Sequence, residues 1–258
     1  MGDQGPTSTA APCKDIRDEA GRLADAAAAA GLGLRLMGGL AVWLSSPSAR
    51  RPPYARDYGD IDFATPASHA KRVTPFLSEL GYVPERLFNA LHGAQRLNFG
   101  HPDGCWTIDV VIDELSMSHR LDLRGRLEWN GPTLDLADLL LTKLQVFEVN
   151  RKDLGDIACL LADHPLGDGP GPGSIDRARV LAVTSGDWGW CHTVEANLVR
   201  TADQARAEPP TGAPLDAARQ AESLLGAVRA APKSLAWRAR ARVGERVRWY
   251  ETPEEVRH

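Results

Sequence analysis

Two short apolar runs carry aspartates at alternate positions, and they constrain this chain more than any other feature: Asp60-Ile61-Asp62-Phe63, and Trp106 to Asp113 with Asp109 at its centre. Side chains of a strand alternate between its faces, so Asp60 and Asp62 project to one side while Ile61 and Phe63 enter a core on the other. In the second run Trp106, Ile108, Val110 and Ile112 share one face, and Thr107, Asp109, Val111 and Asp113 the other. Asp109 is therefore expected to supply a third carboxylate beside the pair. Neighbouring acids repel. Water suits them, and so does a hard cation such as Mg²⁺, which takes oxygen ligands and commonly keeps phosphate oxygens in its shell.

Upstream, Leu34 to Met37 reads as a short strand that ends at Gly38-Gly39, after which Leu40, Ala41, Val42, Trp43 and Leu44 continue as a buried helix. Glycines at such a turn let the backbone approach a ligand, and the free N–H groups of a helix start favour anions. The loop from Ser45 to Tyr58 carries Arg50, Arg51 and Arg56 and delivers the chain to Asp60. Arg51 or Arg56 is placed to meet a triphosphate or an acceptor, a solvated loop being the alternative. Together these pieces outline a holder for a metal–triphosphate.

The pattern of Gly38-Gly39, Asp60-Ile61-Asp62-Phe63 and a distal strand Asp109 resembles the nucleotidyltransferase superfamily, whose core is the palm of DNA polymerase beta. Downstream, the segment from Leu134 to Asp163 is similar to the one that follows the core in AbiEii and MenA type toxin nucleotidyltransferases, with a helical Lys and a Lys/Arg-Asp-x-x-Asp element, here Lys143 and Lys152-Asp153 to Asp156. The resemblance covers roughly Leu34 to Asp163. It departs at Gly38-Gly39, where many members have Gly-Ser. It implies an α+β fold, a small mixed sheet covered by helices. Asp60, Asp62 and Asp109 would be catalytic and would bind metal, two Mg²⁺ with Mn²⁺ as a substitute. Gly38, Gly39, Lys143, Arg56 and Lys152 would contact the nucleotide, an NTP. Asp153 and Asp156 would hold their helix against the site.

The formal net charge of -4 argues against a molecule coated in positive potential, while leaving room for a local basic groove. Cys13, Cys105, Cys159 and Cys191 are widely spaced and form no Cys-x-x-Cys pair, so reduced thiols are expected. The absence of a long apolar run and of a signal-peptide core leads to the expectation of a cytoplasmic protein without a membrane span.

In order along the chain, residues 1–12 read as a loose leader, 13–164 as the catalytic domain and 175–258 as a helical C-terminal region. Lys14 to Ala30 is alanine-rich and helical up to Gly31. Ala67 to Leu80 is a helix with a kink or restart at Pro75. Val83 to Phe99 reads as strand material broken at Asn89 to Gly93, and the turn at His101 to Gly104 makes a hairpin into the Asp109 strand. Leu121 to Leu127 reads as an edge strand. Asp135 caps a helix with an apolar stripe of Leu139, Leu140, Leu144 and Phe147, in which Lys143 must snorkel or meet an anion. His164 to Ser174 is a linker, and Trp188 and Trp190 are packing residues. Near the C-terminus, Leu235, Ala239, Val243 and Val247 fall on one helical face, and Arg238, Arg242 and Arg246 on another.

The expected chemistry is transfer of a nucleoside monophosphate to an acceptor hydroxyl. The acceptor is tRNA or another RNA in a toxin–antitoxin or phage-defence setting, with an antitoxin protein as a possible partner, or else a small molecule of the aminoglycoside or lincosamide kind. A nucleotide-binding module without catalysis is the reading from a different class.

Overall fold

The computed structural model describes residues 12–128, 131–171 and 173–252, so the expected leader lies outside the described residues except for Pro12. Helix α1 (Ile16–Ala29) begins where the Asp15 carboxylate accepts the Arg17 N–H, and the chain turns away at Gly31 with φ of +58°. Its Ala20, Leu23, Ala24 and Ala27, spaced three and four apart, are buried. Strand β1 (Arg35–Met37) runs into α2 (Gly38–Ser45), a 3₁₀ turn spans Pro47–Arg50, and β2 (Asp60–Thr65) follows. Next come α3 (Ala67–Glu79), β3 (Val83–Pro84), α4 (Arg86–His92), β4 (Arg96–Gly100) and β5 (Thr107–Ile112).

The strands form a five-stranded sheet in the order β1-β2-β5-β4-β3. β2 and β5 are parallel, and the other neighbours are antiparallel. This is a small mixed sheet in an α+β chain. One face buries Ile61, Phe63, Phe99 and Ile108 completely, each worth about 1.5–3 kcal/mol. α1 packs along β1 and β2.

The chain continues through a separate ribbon of β6 (Glu114–Ser116) and β7 (Arg120–Asp122), then α5 (Leu136–Leu144) and α6 (Arg151–Asp163). β8 (Leu166–Gly167) and β9 (Ile175–Asp176) form a short parallel pair, before α7 (Arg177–Gly186), α8 (Trp188–Ala207), α9 (Ala217–Ala230) and α10 (Leu235–Val243). From α5 on, each helix is capped by a polar side chain that accepts a first-turn N–H: Asp135, Asn150, Asp176, Asp187, Asp216 and Ser234. α6 is central, touching α2, α5, α8 and α9, and the buried apolar residues of sheet and C-terminal helices belong to one cluster. Among the described residues, no helix is long and apolar enough to cross a membrane.

Several local expectations need correction. Val83 to Phe99 is strand at both ends, in β3 and β4, but the break is wider than Asn89 to Gly93: α4 fills it, with Leu87 and Leu91 both 71% exposed, so the apolar spacing there marks a surface helix rather than a core strand. Leu121 to Leu127 does not form an edge strand of the main sheet. Only Arg120–Asp122 is extended, paired with β6, and residues 124–128 turn. α3 runs through Pro75 without a break. The 164–174 linker contains β8. Phe147 lies beyond α5 and stacks on Tyr250 at 3.6 Å instead of lining the helix. At the C-terminus the expected apolar face is turned outward, with Leu235 82% exposed, because α10 rests on its neighbours through Trp237 and Arg240.

Candidate functional site

Strand register builds the site. Asp62 stands directly opposite Asp109 in the parallel β2–β5 pair, and Met37, the residue before α2, is opposite Asp62 on the other side. Asp60, two residues earlier on the same face, starts β2 and is exposed. The alternation that buries Ile61, Phe63, Ile108 and Val110 therefore gathers the aspartates on the opposite face of the sheet.

Gly38 adjoins this group. Its φ is +69°, and a Cβ there would collide with the Asp62 carboxylate, so the position requires glycine both for its backbone angle and for the approach of the acid. Gly39 serves a different neighbour: a Cβ would come within 2.9 Å of the Tyr58 ring and would crowd the Arg56 guanidinium. The two glycines thus bring the start of α2 against Asp62 on one side and the arginine loop on the other.

The Asp62 carboxylate makes no hydrogen bond or ion pair among the described residues. Burial pushes its carboxyl up to about 7, with Asp60 and Asp109 adding repulsion, while Lys143 and Arg96 pull the other way. Asp109 is held instead: Arg96, on β4, donates from Nε to Oδ1 at 2.6 Å and from its Nη2 to Oδ2. β4 places Arg96 two residues from Asn98, the residue opposite Asp109, so the pair meets diagonally across the strands.

A second charged group lies behind the first. Lys143 on α5 reaches Asp153 at 2.8 Å and Asp156 at 2.9 Å, both on α6. Arg56 shares Asp156 at 2.8 Å and lies over the Tyr58 ring at 4.4 Å. Burial disfavours the charge on Lys143 and on Arg56, but the carboxylates beside them prevail and both pKa values are raised. Lys143 thus meets its anions within the protein, and Asp153 and Asp156 are the residues that hold it. An ammonium has three N–H donors, and one remains beyond these two carboxylates. The Tyr58 hydroxyl is buried without a hydrogen-bond partner among the described residues.

The structure thus brings Gly38, Asp62 and Asp109 together, with Asp60 at the strand start and Lys143 near enough to influence Asp62. Arg56 and Gly39 stand together beside them. Arg51 is directed elsewhere, to the carbonyls of Thr211 and Gly212, and Lys152 lies exposed on α6. Sequence reasoning missed Arg96. The signal was present in the alternation of Leu97 and Phe99, which sends Arg96 and Asn98 to the acidic face.

Among the described residues, no three His, Cys, Asp or Glu side chains are arranged to hold a metal ion. The donor chemistry nevertheless fits a hard divalent cation: two carboxylates in register, one of them unpaired, with a third at the strand start. Within this arrangement the Asp109 carboxylate is paired with the Arg96 guanidinium. No protein-family model matches the chain, and no curated protein matches it significantly.

Proposed function

We propose that this chain is a divalent-metal-dependent nucleotidyltransferase that moves a nucleoside monophosphate from an NTP to an acceptor hydroxyl. The observation that carries the reading is the in-register pair of Asp62 and Asp109 beneath the Gly38 turn, with Asp62 left unpaired and its carboxyl pushed up to about 7. Strongly perturbed groups without a structural partner gather at functional sites.

In this reading the acceptor oxygen forms a bond to the α-phosphorus, the bond from that phosphorus to the β-bridging oxygen breaks, and pyrophosphate leaves. Asp60, Asp62 and Asp109 would hold Mg²⁺ or Mn²⁺, which when bound neutralises phosphate charge and makes the acceptor hydroxyl more acidic. Gly38 and Gly39 would supply backbone N–H donors to the phosphates. Lys143, fixed by Asp153 and Asp156, keeps a donor for charge that builds on the departing pyrophosphate. Asp109 receives the proton of the acceptor hydroxyl.

A polyanionic acceptor is favoured by the exposure of Arg238, Arg242, Arg246 and Arg248 at the C-terminal end. This supports RNA over a small molecule such as an aminoglycoside. The test is transfer of label from each α-labelled NTP, with Mg²⁺, into total RNA and separately into a small-molecule extract. Label in RNA that is absent with Asp62→Asn is the expected result. Label confined to the small-molecule fraction would move the acceptor to that class. Nucleotide binding with no transfer into either would replace the enzyme with a binding module.

A further inference from the structure

Arg96 closes one side of the acidic face, and its contact has the features of a competitor rather than a brace. Two guanidinium nitrogens, Nε and Nη2, engage the two Asp109 oxygens one to one, so no lone pair directed along that fork is left for another cation. Yet the arginine side chain is 43% exposed and its partner 15%, so the fork can rotate into solvent without opening the core. Braces elsewhere in the chain are built differently: Asp138 is fully buried between Arg126 and Arg179, whose side chains are 27% and 20% exposed. The neighbouring Asp62, one strand over, has no such cation. One of the three carboxylates of the acidic face is therefore neutralised by the protein itself, and it is the one needed to complete a three-acid set.

We propose that Arg96 is a positioning residue that occupies Asp109 in place of a metal ion and is displaced when a divalent cation takes that carboxylate. The inference rests on the nucleotidyltransferase reading of the same face. Its physical basis is direct competition: the fork takes the pair of lone pairs that chelate a cation between the two Asp109 oxygens, so a cation chelated there must break it, and the strength of the fork is subtracted from metal affinity. Once released, the guanidinium stands at the rim of the site with its planar donors free for a phosphate oxygen.

The test titrates Mn²⁺ alone into the full chain and follows free Mn²⁺ by electron paramagnetic resonance, with no nucleotide present. Arg96→Gln is expected to bind Mn²⁺ about fivefold or more tightly than wild type, and Arg96→Lys, which keeps a charge but loses the fork, to fall between them. Arg96→Gln binding no more tightly than wild type, while Asp62→Asn still abolishes binding, would overturn the competition and leave the metal site standing. Mn²⁺ binding that Asp62→Asn does not affect, or no binding at all, would overturn both. A second readout needs no variant: Mn²⁺ is expected to speed modification of Arg96 by an arginine-selective dicarbonyl, read by peptide mass spectrometry. Unchanged labelling of Arg96 at saturating Mn²⁺ would count against displacement even if Arg96→Gln does not fold.

Discussion

Two groups of aspartates in this molecule receive opposite treatment. Asp138, at the start of α5, is fully buried and accepts from Arg126 at 2.6 Å and Arg179 at 2.8 Å, and Arg126 also reaches Asp135. It ties α5 to α7 and to the turn after β7, and every charge in the group has its partner. Asp62, in contrast, is half-buried beside two other acids, has no side-chain partner among the described residues, and crowds a glycine that can carry no side chain. A carboxylate that serves the fold is satisfied by the fold. One kept short of partners stores repulsion that a proton or a cation relieves, and that contrast is the physical ground for proposing function on the sheet face.

The sharpest way to break the comparison is to remove both acids in turn. Asp138→Ala removes the buried carboxylate that Arg126 and Arg179 share, leaving Arg126 only Asp135 and Arg179 only the Asp122 carbonyl, and should cost about 3 kcal/mol in urea unfolding. Asp62→Asn should cost nothing or stabilise the metal-free protein, because it removes repulsion. Equal losses at the two positions would erase the distinction. Gly38→Ala comes next. It combines a positive φ with a collision against Asp62, and should destabilise by about 1–3 kcal/mol and abolish nucleotide transfer, as measured by urea unfolding and the label assay.

Titration sharpens the same contrast. Asp62 is raised from 3.8 to about 7, so the folded state binds its proton more tightly: the resulting stability is present below about 4 and is lost as pH rises through 7. His119, buried against Trp190, is depressed from 6.5 to about 4 by burial, so its contribution is present above 6.5 and is lost as pH falls through 4. In chelator-containing buffer, the urea midpoint of Asp62→Asn relative to wild type should climb between pH 4 and 7, while acid destabilisation linked to His119 persists in both proteins. A constant difference across that range would remove the repulsion. The smallest effect belongs to an exposed pair: Arg151→Ala, which loses Glu208, should change stability by less than about 1 kcal/mol and leave transfer intact.

Period-two alternation makes Asp60, Asp62 and Asp109 legible in the sequence, because the apolar residues between them have to face a core. The pairing of Asp62 with Asp109 is not legible there, since strand order and register are set by long-range contacts that no local pattern encodes. Arg96 depends on that register and was missed with it. Lys143 is visible as a charge in an apolar helix, whereas its partners Asp153 and Asp156 also read as ordinary first-turn acids; the packing of α6 on α5 that joins them is itself a long-range contact. α4 was missed because Leu87 and Leu91 lie four apart on an exposed helix, and a short apolar spacing does not distinguish surface from core.

The most direct test of the central claim is a pair of thermal melts at pH 7.5, wild type against Asp62→Asn, each with and without Mg²⁺ and NTP. The predicted result is a variant at least as stable as wild type when metal and nucleotide are absent, and a rise in melting temperature on adding them that only wild type shows. A variant that melts well below wild type without ligand, or one that gains as much from Mg²⁺ and NTP, would contradict the assignment of Asp62 to function.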